Sequence, residues 1–111
     1  MASKSRYKIK QYSRDKIDEL NGLLDTDAYS IKISTDPSKK LDVFLYDKKI
    51  DSVGAIKKNG VPYLDFPSYT ETMGQEYADR RRILYYQRHA KEPTIKDGAV
   101  TTSWWSKYLL W

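Results

Sequence analysis

The stretch YSIKISTDPSKKLDVFLYDKKIDSVGAIKKNGVPYLDF, residues 29–66, decides the fold. Its apolar period is two. Tyr29, Ile31 and Ile33 point one way while Ser30, Lys32 and Ser34 point the other, which is the pattern of a half-buried strand. Asp36-Pro37-Ser38-Lys39 supplies turn chemistry. Leu41, Val43 and Leu45 then alternate with Asp42, Phe44 and Tyr46 in a second strand. Asp47-Lys48-Lys49 predicts a short turn into a third strand near residues 50–55. Asn59-Gly60, two residues that tolerate positive φ, is the strongest hairpin signal and leads into a fourth strand over residues 61–66. The segment therefore reads as an antiparallel meander of about four short strands.

Outward from the meander the period becomes helical. Ser13 is placed to cap a helix over residues 13–24, because Ile17, Leu20 and Leu24 recur at spacings of three and four. Residues 1–12, with Lys4, Arg6, Lys8 and Lys10, form a basic N-terminal arm. On the other side Pro67 ends the last strand, and Ser68-Tyr69-Thr70-Glu71 has the spacing of a capping box. An Arg-rich helix follows over residues 68–91, with Gly74 as a point of kink or interruption and Pro93 as its stop. Residues 93–102 read as a loop around Gly98. Residues 103–111 form an aromatic C-terminal segment in which Trp104, Tyr108 and Trp111 share a face if it is helical. The fold class is α+β, with residues 1–111 as a single domain.

Composition narrows the chemistry. A chain of 111 residues fits one domain. Its 40% hydrophobic against 32% charged residues describe a globular protein with a thin core. No apolar run reaches the roughly 20 residues of a membrane span, and MASKSRYKIK lacks the apolar centre of a secretory signal. The absence of cysteine excludes disulfides, thiolate catalysis and cysteine-ligated metal. The one histidine, His89, excludes any site needing two imidazoles, and a lone base without a nucleophile makes no recognisable catalytic machine. Asp47-x-Lys49 matches a nuclease-like pattern only at the level of chance, and Asp42, Asp51 and Asp65 converge only if strand register brings them together. No catalytic residue, metal ligand or cofactor site is assigned, and no small-molecule substrate is expected. A net charge of +5 with ten Tyr, three Trp and two Phe suits a polyanion or a protein surface.

Two constellations carry the partner readings. Residues 80–89, RRRILYYQRH, can be an Arg–aromatic network within the fold, with Tyr77, Leu84 and Tyr85 packed inward, or a phosphate-contacting helix with stacking tyrosines. The terminal aromatics can fill the core or remain as an interface. A protein-binding surface would use Trp104, Trp105, Tyr108 and Trp111 with Arg80, Arg82 and Arg88. A nucleic-acid surface would use Lys4, Arg6, Lys8, Arg80, Arg82, Tyr86, Arg88 and Lys91.

The succession of KKLDVFLYDKKIDSVGA, YLDFPSYTETMGQEYADRRRILYYQRH and the terminal LLW resembles an uncharacterised family of small proteins encoded by large double-stranded DNA viruses of algae and protists. The resemblance rests on Lys40, Asp42, Phe44, Gly54, Asp65, Phe66, Tyr69, Arg80, Arg81, Tyr85, Arg88, His89, Leu110 and Trp111, and covers roughly residues 39–111. The long spacing from Gly98 to Leu110 and the Trp104-Trp105 pair depart from the family's pattern. The resemblance implies a viral, non-enzymatic protein and brings no catalytic residues. The expectation is a virion component, plausible as a minor capsid protein that cements other viral structural proteins. It is otherwise intracellular in the infected host, not secreted. Nucleic-acid binding is the alternative.

Overall fold

Pairing along the backbone puts three strands side by side in a computed structural model that describes residues 7–111. The chain runs α1 (Gln11–Leu23), β1 (Tyr29–Ile33), β2 (Leu41–Leu45), β3 (Lys48–Val53), α2 (Phe66–Met73), α3 (Gln75–Arg88), β4 (Ile95–Lys96), β5 (Ala99–Val100) and α4 (Thr102–Leu110). The fold is α+β. It divides into two compact units, the first ending at Tyr63 and the second comprising Leu64–Trp111. No helix among the described residues is long and apolar enough to cross a membrane.

In the first unit β1, β2 and β3 form an antiparallel sheet in sequence order. The strands lie where the alternation of residues 29–34 and 41–46 puts them, but burial does not alternate in the central strand β2, where Leu41, Asp42 and Val43 are all buried. Leu41, Val43 and Val53 are fully buried, each worth about 1.5–3 kcal/mol. Ile17 of α1 and Ile31 join them in the core. The β2–β3 connection is tighter than the sequence suggests: Tyr46 takes the left-handed conformation and β3 begins at Lys48. The extra residue is absorbed by a bulge, since Val43 pairs with Asp51 but Phe44 pairs with Lys49, leaving Ile50 unmatched.

The fourth strand does not form. The Asn59-Gly60 turn is present, with Gly60 at positive φ and Val61 N–H donating to Asn59 Oδ1. Beyond it the pairing is limited to the Ile56–Pro62 bridge, with Lys57 N–H donating to Val61 O at 2.9 Å and Tyr63 N–H to Ala55 O at 3.1 Å. Pro62 falls at the non-hydrogen-bonded position opposite Ile56, so its missing N–H costs no ladder bond; the pairing ends where Gly54, at positive φ, turns the partner segment out of extended backbone. The first helix also starts earlier than Ser13. Lys10 occupies the cap position without a side-chain capping hydrogen bond, and Ser13 lies buried within the first turn.

Charged side chains complete this interior. Asp42 is 1% exposed and accepts hydrogen bonds from Ser34 Oγ at 2.6 Å, Ser52 Oγ at 2.6 Å and Thr35 N at 3.1 Å, with Lys49 Nζ at 3.9 Å. Its oxygens are thus occupied by hydroxyls and a backbone N–H, with an ammonium nearby. Lys40 is equally buried, its ammonium 5.1 Å from the Tyr7 ring and its stem against Gly54. A Cβ on Gly54 would meet that stem at 2.6 Å, and Gly54 also sits at φ +86°.

Burial pushes the Asp42 carboxyl up, but bonds from Ser34, Ser52 and Thr35 and the Lys49 charge outweigh burial and hold it below its ordinary value. The unfolded chain therefore binds this proton more readily. The contribution is complete above the unfolded pKa of about 3.9 and fades as pH falls through the lower folded value. Asp42→Asn is expected to cost about 2–4 kcal/mol at neutral pH and to flatten the acid limb of the stability curve, read by urea denaturation as a function of pH. Gly54→Ala is expected to cost about 2 kcal/mol in the same assay, through the Lys40 clash and the positive φ.

Candidate functional site

The sequence-nominated arginines and aromatics meet in the second unit, where Asp65 starts the helical structure. Its carboxylate accepts from Ser68 N at 3.2 Å and Ser68 Oγ at 2.7 Å, so Asp65 is the cap of α2 and Pro67 is a first-turn residue. The expected cap at Ser68 and strand end at Pro67 are corrected accordingly. A carboxylate facing the first-turn donors takes the cap, and proline there lacks only an N–H the helix does not use. Gly74, at φ +88°, interrupts the helical stretch as its place in the sequence suggests, dividing it into α2 and α3.

The phase of α3 is set by Ala78 and Tyr85, seven residues apart and both buried. Flanking arginines lie along rings. The Arg81 guanidinium is 5.3 Å from the Tyr69 ring, Arg82 is 3.5 Å from Phe66, and Arg80 is 5.7 Å from Tyr77. The Nε atoms of Arg81 and Arg82 are shut off from solvent. Leu84, expected to pack inward beside Tyr85, is 46% exposed, as the Ala78–Tyr85 phase requires.

The C-terminal segment is helical and closes the unit. Thr101 caps α4 by accepting from Trp104 N at 3.3 Å, while its own hydroxyl donates to Pro93 O at 2.6 Å. The expected loop between them is a small hairpin, β4–β5, turned by Asp97 and Gly98, both at positive φ. Trp105, Leu109, Leu110 and Trp111 are buried. Trp111 stacks on Tyr85 at 4.3 Å and 7°, and the Tyr85 hydroxyl meets Ser106 Oγ at 2.9 Å. Burial raises the Tyr85 pKa, with the Ser106 bond opposing it. Trp111 thus parts from the face it was expected to share. Trp104 and Tyr108, half-buried, stack on each other at 4.9 Å and 17°. Lys107 Nζ reaches His89 O at the end of α3 at 3.2 Å. The His89 ring lies 4.3 Å from Tyr85 and bonds Glu92, and that bond holds the Glu92 carboxyl below its ordinary range.

The nominated residues therefore separate. Trp105 and Trp111 are buried in the unit, and Arg82 is half-buried against Phe66. Arg80, Arg88, Tyr86 and Lys91 are exposed, and Trp104 and Tyr108 lie half-exposed. Lys8 is exposed in the first unit, and Lys4 and Arg6 lie outside the described residues. The outer face of α3 carries what the sequence reading missed: Ile83, 57% exposed, and Leu84 stand between Arg80 and Arg88 beside Gln87. The seven-residue Ala78–Tyr85 spacing was the available signal. The outcome is an apolar stripe flanked by cations, suited to an apolar surface with acidic margins.

Trp111→Ala is expected to cost about 3–5 kcal/mol in urea denaturation, because it empties the stack on Tyr85. The chain matches no protein-family profile, no curated protein and no solved structure.

Proposed function

We propose that this chain is a non-enzymatic structural protein of a large double-stranded DNA virus, a minor capsid component that docks on larger virion proteins through the outer face of α3. The observation that carries the reading is the exposure of Ile83 and Leu84 between Arg80 and Arg88. Two branched apolar side chains on one helical face gain by burial against a partner, and the arginines orient it. The viral source rests on the resemblance of residues 39–111. In this reading the protein resides in the virion shell, with half-exposed Trp104 and Tyr108 as secondary contacts.

The phosphate-binding alternative has less to work with. Arg81 and Arg82 lie over Tyr69 and Phe66, and Glu76 and Asp79 stand among the exposed cations of α3. The second unit then offers chiefly Arg80, Arg88 and Lys91 to phosphates.

The test is mass spectrometry of virus particles stripped stepwise with rising salt and then mild detergent. The shell reading expects retention after DNA release, and loss of incorporation for Ile83→Glu combined with Leu84→Glu. Absence from particles, or unchanged incorporation of that double variant, would overturn it. Departure with the DNA, together with binding that falls with a log–log salt slope of about −3, would establish the phosphate reading instead.

A further inference from the structure

The second inference concerns the first unit and stands independently of the α3 surface. Tyr46 N–H donates to Ala28 O at 2.7 Å and Ser34 N–H to Lys40 O at 3.1 Å, so even-numbered residues of β1 face β2 across the ladder. Tyr29, Ile31 and Ile33 consequently turn their N–H and C=O groups to the outer edge of the sheet. At Tyr29 both groups are taken by one side chain: Asn21 Nδ2 donates to Tyr29 O at 2.9 Å, and Tyr29 N donates to Asn21 Oδ1 at 3.1 Å. The Asn21 amide occupies the position of a peptide group in an absent neighbouring strand. The outward groups of Ile31 and Ile33 have no such partner among the described residues.

An open groove of about 220 Å³ runs beside this edge, lined by Arg14, Ile17, Asp18 and Asn21 of α1 and by residues 29–31. The opposite edge is guarded. β3 carries exposed Lys48 and Lys49, a bulge at Ile50, and an Asp51 carboxylate that accepts the Ser52 N–H at 2.8 Å. These are the ordinary devices that stop a strand from joining a sheet.

We propose that the β1 edge takes a short extended segment of a partner protein by strand addition, with apolar, acidic and apolar side chains opposite Ile31, Lys32 and Ile33. The apolar positions follow from the Ile31 and Ile17 side of the sheet, and the acidic one from exposed Lys32. A second copy of the chain fits less well. Centring two antiparallel β1 strands on Ile31 pairs Tyr29 with Ile33, and Asn21 already holds the Tyr29 groups. The added strand must therefore stop at Asn21.

The probe is a capped, fluorescent seven-residue peptide of alternating valine and glutamate, titrated into the full chain. Fluorescence anisotropy reads affinity and amide NMR reads location. Binding is expected with slowed exchange at the Ile31 and Ile33 amides, and backbone N-methylation at the pairing positions should abolish it. Lys32→Glu lies on an exposed position and should fold; it should weaken this peptide about fivefold and favour its valine–lysine counterpart. Asn21→Ala should free the Tyr29 groups and extend protection to the Tyr29 amide. Absent binding, equal binding of the N-methylated peptide, shifts confined elsewhere, or no response to Lys32→Glu would each overturn the proposal. So would amides of Ile31 and Ile33 that are already protected without peptide, since the chain itself or a second copy would then fill the edge. Every readout lies in the first unit, so failure here leaves the α3 reading untouched, and the reverse.

Discussion

Enclosing charge is the constraint on which the interior of both units depends. With 32% charged residues against 40% hydrophobic, the chain has too few purely apolar side chains to fill its cores. Cationic stems laid over rings supply part of the missing volume. Lys40 lies over Tyr7 in the first unit, and Arg81 and Arg82 lie over Tyr69 and Phe66 in the second. Such contacts keep the methylene stems packed while the ring face offsets part of the lost hydration. Asp42 is the anionic counterpart, stable in its burial because hydroxyls and a backbone N–H surround it.

That constraint explains why the residues that carry the resemblance read as a set of structural positions. Lys40 and Gly54 form one contact, Asp42 gathers three neighbours, Asp65 begins α2, and Tyr85, His89 and Trp111 make one aromatic column. Arg80 and Arg88 are the members of the pattern that remain exposed on α3. A motif rich in arginine and tyrosine looks like a polyanion site in one dimension, yet most of its groups here hold the fold together. The surfaces proposed for partners are one face of α3 and, separately, the outer edge of β1.

Where the sequence reading and the structure part, a specific physical competitor won. Gly54, at positive φ, ends the extended backbone on one side of the Asn59-Gly60 hairpin, which stops after the bonds of Lys57 with Val61 and of Tyr63 with Ala55. Asp65 displaced Ser68 as the cap, because a buried carboxylate facing first-turn N–H groups also bonds the serine itself. Asp97-Gly98 carried a legible hairpin signal in what read as a loop, and the two-residue strands around it are too short to show alternation. Leu84 was misplaced because the helix phase depends on Ala78, a small residue that gives little signal in an apolar count yet allows close packing.

By itself the sequence determined the α+β class, the places of the first three strands, Gly74 as a point of kink or interruption and the exclusion of cysteine chemistry. Those properties are local: they follow from side-chain alternation, backbone freedom and composition. Only the tertiary structure decided which tryptophans are interior, which arginines lie on rings and which strand edge is open. These depend on contacts between residues distant in the chain, such as Tyr85 with Trp111 and Asn21 with Tyr29, and no local pattern encodes them.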